Sequence, residues 1–187
     1  STGLSIVGQG EWAAAKHGKR GKRGWRKLHI GVNGDGEIVA QVLTDSNVDD
    51  AKTGLDLIEQ VEDDIKEVIG DAAYDTSAIY EAAGARGADV VVPPVKGAVV
   101  SGSKLPLSAR DETVLKVDAL GRREWKKESG YHRQGRVENT FFRYKQILGG
   151  KLHARHAKAQ EVEAALACGI LNRMSELGLP VSVAKAA

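Results

Sequence analysis

Apolar and polar positions alternate along Arg26-Lys-Leu-His-Ile-Gly-Val-Asn33, the period-two pattern of a half-buried strand. Asn33-Gly34-Asp35-Gly36 follows, a turn in which Asn and Gly tolerate positive φ. Residues 37–44 return as the second strand of a hairpin. The period then changes. Leu55, Ile58, Val61 and Ile65 recur at three- and four-residue spacing and predict an amphipathic helix over about 50–63, with an acidic outer face. Glu67-Val-Ile-Gly70 reads as a short buried strand ending at Asp71. Thr76 is a suitable N-cap for a helix to about Arg86. Asp89-Val-Val-Val92 is the next strand, stopped by Pro93-Pro94. Strand, helix, strand in that order predicts parallel pairing with a right-handed crossover. Residues 95–120 carry Gly, Ser and Pro and read as a long loop or small insertion. Two helices close the chain, over about 132–147 and 158–177. Val162, Leu166, Ile170, Met174 and Leu177 are the expected core face of the second. The fold class is thus α/β: a hairpin feeding a mixed sheet flanked by helices, in a single domain over residues 1–187.

Composition narrows the function classes. A chain of 187 residues with 42% hydrophobic and 28% charged positions can bury a core, which argues against global disorder. No apolar run approaches the about 18 residues of a membrane-spanning helix, so no membrane partner is expected. A single cysteine, Cys168, excludes an internal disulfide and a Cys-based zinc cluster, and fits a reducing, cytoplasmic setting. It sits among small and apolar neighbours as a buried residue. The net charge of +2 hides segregation. Lys16, Lys19, Arg20, Lys22, Arg23, Arg26 and Lys27 form one basic run, interleaved with Gly18, Gly21 and Gly24. Residues 45–64 are acidic, and 122–158 basic again. Two basic segments point to a polyanion partner, because each Lys or Arg at a phosphate releases condensed counterions. The Gly-Lys-Arg run lacks the Gly-x4-Gly-Lys-Ser/Thr spacing of a phosphate-cradling loop. Trp12 and Trp25 flank it and read as packing residues. His153 and His156 form an isolated pair without the spacing of a zinc site.

Two carboxylates stand where chemistry can use them. Asp71 follows a buried strand, the end at which open α/β sheets bind ligands, among the small residues Gly70, Ala72 and Ala73. The alternative is that it caps a turn. Glu138 lies in Tyr131-His-Arg-Gln-Gly-Arg-Val-Glu138. At about 100° per residue, Tyr131, Gln134, Glu138 and Lys145 share one helical stripe. Val137, Phe141 and Leu148 form the adjacent apolar one, and Arg136 and Arg143 project from nearly the opposite side. Two hard-oxygen ligands beside basic segments suit Mg²⁺-dependent phosphoryl transfer, although such sites usually assemble one carboxylate more.

The motifs also match in order those of a known family. Ser1-Thr-Gly-Leu4, Trp25-Arg-Lys-Leu-His29, Gly70-Asp-Ala-Ala-Tyr-Asp-Thr76, Pro93-Pro94 with Lys96, Tyr131 through Lys145 and Asn172-Arg-Met174 resemble the DDE-type transposases of bacterial insertion sequences, in the branch with a Tyr-x2-Arg-x3-Glu-x6-Lys pattern. The resemblance implies a ribonuclease H-like fold and a two-metal site using Mg²⁺, with Mn²⁺ as a substitute. Asp71 would be its second carboxylate and Glu138 its third. It implies DNA as partner, both element ends and target, with Tyr131 and Lys145 near the cut. The reaction would be nicking at element ends, then attack of the freed 3′-hydroxyl on target DNA. A homodimer in the synaptic complex and a place in the bacterial cytoplasm at the nucleoid are expected on the same ground. Lys19, Arg20, Lys22, Arg23, Arg26, Arg133, Gln134 and Arg136 complete the expected DNA-binding set.

Two departures qualify the expectation. The family's first Asp precedes Ser-Thr-Gly, and this chain begins at Ser1, so it reads as truncated at its N-terminus. Asp45, Asp49 and Asp50 are poor substitutes, being loop and helix-start residues. This chain alone is therefore expected to transpose little or not at all, and a catalytically silent DNA-binding remnant is the alternative reading. The pattern's Arg position is held by Gln134, which carries no charge for phosphate. Arg133, close by, is the candidate to replace it.

Overall fold

The computed structural model describes residues 1–8, 24–101 and 106–178. Strand β1 (Thr2–Ile6) is followed by the hairpin β2 (Trp25–Val32) and β3 (Ile38–Asp45), and then by helix α1 (Asp50–Gln60). Strand β4 (Glu67–Ile69), a 3₁₀ turn (Ala72–Tyr74), α2 (Ser77–Ala85) and β5 (Asp89–Val91) come next. The remainder is α3 (Ala109–Leu120), α4 (Arg122–Glu128), a second 3₁₀ turn (Tyr131–Gln134), α5 (Gly135–Ile147), β6 (Lys151–Leu152) and α6 (Ala157–Glu176). Among the described residues no helix is long and apolar enough to cross a membrane.

The expected hairpin forms with Leu28 opposite Leu43 and His29 opposite Val42. Asn33 holds its turn by accepting from the Asp35 and Glu37 amides, and Gly36 takes φ 86°, open to Gly at no steric cost. The four-stranded sheet runs β3-β2-β1-β6. Its β1–β2 pairing is antiparallel and its β1–β6 pairing parallel, so the sheet is mixed. Strands β4 and β5 pair in parallel through α2, as their strand-helix-strand order requires, but they hydrogen-bond as a separate two-stranded sheet. Mixed strands flanked by helices are consistent with a ribonuclease H-like fold.

Two apolar clusters support these layers. The larger joins Leu4, Leu28, Ile30 and Leu43 of the sheet to Tyr144 of α5 and to Ala164, Cys168 and Leu171 of α6. The smaller joins α1 and α2 to the β4–β5 pair through Ala51, Ile58, Ile79, Val68 and Val90. Thr76, the expected cap, accepts from the Ile79 amide at the start of α2, and Asp49 accepts from the Lys52 amide at the start of α1.

Two expectations are corrected. Residues 95–120 are not wholly loop, because Ser108 accepts from the Asp111 amide and starts the 12-residue helix α3. Buried Asp111 also binds the Ser101 amide and hydroxyl, and so fixes the segment before the helix. The second correction concerns the face of α6. Val162, Leu166, Ile170, Met174 and Leu177 are exposed, Leu166 by 63%, whereas Gln160, Ala164, Cys168 and Leu171 are buried. Cys168 and Ile170 lie about 200° apart on the helix, so both stripes cannot face the core. The helix approaches the sheet through Ala164 and Cys168, and bulkier side chains on that face would hold it away. Asn172 completes this contact: its carboxamide accepts from the Ile38 amide at 2.9 Å and donates to the Ile38 carbonyl at 2.8 Å, occupying the edge of β3.

Candidate active site

Asp71 stands just past the end of β4. Gly70, before it, donates to the Val91 carbonyl, and a Cβ at Gly70 would come within 3.0 Å of the Tyr74 ring. The chain then turns into the Ala72–Tyr74 3₁₀ turn, which Asp71 caps by accepting from the Ala73 amide through Oδ1 at 2.8 Å. Capping fixes the carboxylate's direction and occupies one oxygen. Oδ2 has no partner among the described residues, and the side chain is exposed. The capping role and a site role therefore coexist.

Glu138 sits in the first turn of α5 and is exposed. The apolar stripe beside it, Val137, Phe141 and Leu148, packs on the larger cluster as the helical spacing predicts. No Lys or Arg pairs with Asp71 or Glu138 among the described residues. Lys145, two turns beyond Glu138, is exposed and does not pair with it. Both carboxylates act on Tyr131 electrostatically. Burial raises the Tyr131 phenol above its ordinary pKa, and the charges of Asp71 and Glu138 raise it further. The ring is tilted against Trp125, with centroids 6.3 Å apart, and Lys126 Nζ lies 4.5 Å from its centroid.

The chain start lies against Asp50. Burial lowers the Ser1 amino group, while Asp50 and Asp71 pull it upward. Ser1 Oγ donates to Asp50 Oδ2 at 2.7 Å, and Lys27 Nζ donates to Asp50 Oδ1 at 2.7 Å and to the Val48 carbonyl at 2.8 Å. Burial works against the Asp50 charge, but the bonds from Lys27 and Ser1 outweigh it and hold this carboxyl below its ordinary pKa. Asp50 is thus engaged by Lys27 at the start of α1, in keeping with a helix-start role. Asp49 is the cap of that helix, and Asp45 pairs with Arg26. Tyr74 stands among these groups; burial, with Asp50, Asp71 and Asp49 around it, pushes its phenol upward.

The remaining expected contacts separate into engaged and open side chains. Arg26 is only 13% exposed, pairing with Asp45 at 3.3 Å and with Glu161 at 3.9 Å. Arg133 pairs with Glu67 through both terminal nitrogens and donates to the Gly130 and Ser129 carbonyls. Both guanidinium groups have internal partners, and Arg133 and Glu67 stay about one-third exposed, at 34% and 30%. Arg136 is exposed and reaches toward the hairpin turn, with Nη1 3.8 Å from where a Cβ on Gly34 would lie. Gln134 is half-buried and makes no cap bond. Lys19, Arg20, Lys22, Arg23 and Trp12 lie outside the described residues. Trp25 is 45% exposed and lies against Gly3.

Two buried polar features carry no local sequence signal. His29 is fully buried; its Nε2 meets Thr44 Oγ1 at 2.9 Å, and its Nδ1 has no partner. Its period-two neighbours Leu28 and Ile30 gave no signal that the opposite face was buried as well. Asp75, also buried, takes two hydrogen bonds from Arg110, at 2.8 and 3.0 Å, and one from the Val95 amide. The pairing links residues 35 positions apart, which no local pattern encodes.

Two carboxylates with open oxygens are the donor type that a hard divalent cation takes. No group of three His, Cys, Asp or Glu side chains is gathered as a metal site among the described residues. His153 and His156 accordingly belong to no such group.

No solved structure matches the chain. The sequence model of the transposase DDE domain matches residues 1–173, more than nine-tenths of the 187. That family uses divalent metal ions on a DNA substrate. A match over that much of the chain, on mixed strands flanked by helices, settles the lineage: this chain belongs to the transposase DDE domain family.

Proposed function

We propose that this chain carries the second and third carboxylates of a metal-dependent site that nicks DNA at the ends of a transposable element and joins the freed 3′-hydroxyl to target DNA. The observation that carries the reading is a pair of exposed carboxylates, Asp71 just past β4 and Glu138 in the first turn of α5, neither of them paired with a Lys or Arg among the described residues. Asp71 would hold a divalent ion, Mg²⁺ or Mn²⁺, through Oδ2 while Oδ1 keeps the backbone cap. Glu138 would hold it from α5. Such an ion, when bound, supplies Lewis-acid polarisation of a phosphate oxygen and lowers the pKa of an attacking hydroxyl or water.

The chain's own residues do the rest. Tyr131 and Gln134 of the 3₁₀ turn and Lys145 of α5 are offered to DNA near the cut, with Lys145 the positive charge among them. Arg136 stands on another side of the helix, toward the hairpin turn, where it would meet DNA further out. Phosphate neutralisation at Gln134 is weaker than an Arg would give. Binding to DNA should fall steeply with salt. Two chains, one for each element end, are the expected working unit.

A residue joined to the Ser1 nitrogen would stand close to Asp50, which accepts from Ser1 Oγ. An Asp there would supply a further carboxylate. The test is a nicking and strand-transfer assay on element-end DNA with Mn²⁺, comparing this chain with the same chain extended by Asp before Ser1. The extended chain should nick and join, this chain little or not at all, and D71N or E138Q should abolish both steps. Joining that survives D71N or E138Q would overturn the reading. If the extended chain binds DNA but never cuts, the silent DNA-binding alternative holds.

A further inference from the structure

The two carboxylates ride on different apolar clusters. Asp71 follows β4, whose Val68 packs with α1 and α2 in the smaller cluster, while Glu138 is on α5, whose Val137 and Tyr144 pack in the larger one. Neither cluster holds both carboxylate-bearing elements. The 3₁₀ turn Tyr131–Gln134 is their common neighbour: β4 packs on it, and α5 grows from it.

One side chain in that turn is built into β4. Arg133 Nη2 donates to Glu67 Oε1 at 3.0 Å, and Nη1 pairs with Glu67 Oε2. Nε donates to the Gly130 carbonyl at 3.1 Å, and Nη2 also reaches the Ser129 carbonyl at 3.3 Å. Glu67 is four residues before Asp71; Arg133 is five before Glu138. Gly130 makes this possible in two ways. It takes φ 68°, and a Cβ on it would lie 2.7 Å from Arg133 Nη2. A two-pronged ion pair with further backbone acceptors fixes orientation, unlike a lone surface pair that can swing.

We propose that the Arg133–Glu67 pair is a clamp that sets the spacing of Asp71 and Glu138, making Arg133 and Glu67 positioning residues for the metal site. The inference rests on the reading of those carboxylates given under Proposed function. The polar tie joins the strand that delivers one to the turn that delivers the other. It also gives Arg133 a purpose that the loss of charge at Gln134 does not touch.

The test uses the full chain and two readouts. In the first, Mn²⁺ affinity is measured by the loss of free-ion EPR signal. R133Q and E67Q should each weaken binding about tenfold. The double variant should weaken it about tenfold as well, not a hundredfold, because both changes break one tie. G130A, which displaces the guanidinium, should behave like R133Q. A general loss of fold would instead multiply across the variants and lower the thermal midpoint in step. In the second readout, a nitroxide is placed on N139C, next to Glu138, while native Cys168 stays buried and unlabelled. Its broadening of the Asp71–Tyr74 amide resonances, without metal, should change in R133Q and E67Q alike. Unchanged broadening overturns the clamp, and so does changed broadening with Mn²⁺ affinity unaltered. If the parent chain holds no Mn²⁺ that D71N or E138Q weakens, the functional reading fails, and the broadening still decides the clamp.

Discussion

His29 gives a pH dependence that can be worked from its surroundings. The ring is buried with one nitrogen bonded to Thr44 and the other without a partner. Burial lowers its pKa from 6.5 to about 4, against the pull of Asp50 and with the help of the Ser1 amino group and Lys27. The unfolded chain takes up a proton at about 6.5 that the fold refuses until about 4. Stability from this residue is therefore complete above pH 6.5 and is lost as the pH falls toward 4; below that both states are protonated and the loss stops. At about 1.4 kcal/mol per pH unit the window is worth about 3 kcal/mol. Asp50, held below its ordinary pKa of 3.8, titrates beneath this window. The assay is urea unfolding followed by circular dichroism from pH 4 to 7.5, on the parent and on H29Q. H29Q differs by a constant at neutral pH, so the diagnostic is the slope of the difference between the two stability curves. The parent should lose about 3 kcal/mol more than H29Q between pH 6.5 and 4. A flat difference across that range would refute the reasoning.

Four further substitutions probe packing and charge. Leu171, 1% exposed, should cost about 2–5 kcal/mol when cut to Ala, whereas L166A should change stability by no more than about 0.5 kcal/mol, both read by urea unfolding. R110A leaves the buried Asp75 carboxylate without its cation and should cost about 3–5 kcal/mol by the same method. A Cβ at Gly54 would lie 2.9 Å from the Tyr74 ring, so G54A should cost about 1–3 kcal/mol in thermal or urea unfolding and disturb the turn behind Asp71.

The elements were legible wherever a local period decided them. Alternation over 26–33 and the Asn33–Gly36 turn gave the hairpin, three-four spacing gave α1, and Thr76 as a cap gave α2. The facing of α6 was not legible from bulk alone. Its large residues form one stripe, but the sheet accepts the small one, because close approach of helix to strand rewards Ala164 and Cys168 over Leu166 and Ile170. Helix α3 was hidden by the Gly, Ser and Pro before it, although Ser108 was its cap. In the site, Asp71 and Glu138 stood out as carboxylates at a strand end and on a helix border. The engagement of Arg26 and Arg133 did not, because their partners Asp45, Glu161 and Glu67 are set by tertiary packing rather than by spacing.

The central claim is that Asp71 and Glu138 grip the same divalent ion. Affinity cleavage tests it directly: Fe²⁺ is exchanged into the chain, ascorbate and peroxide are added, and the backbone cuts are mapped by mass spectrometry. Cuts should fall in two segments, around 70–75 and around 134–139, both suppressed by excess Mg²⁺ and both lost in D71N and in E138Q alike. Cuts in one segment only, or cuts at one that persist when the other carboxylate is removed, would contradict it.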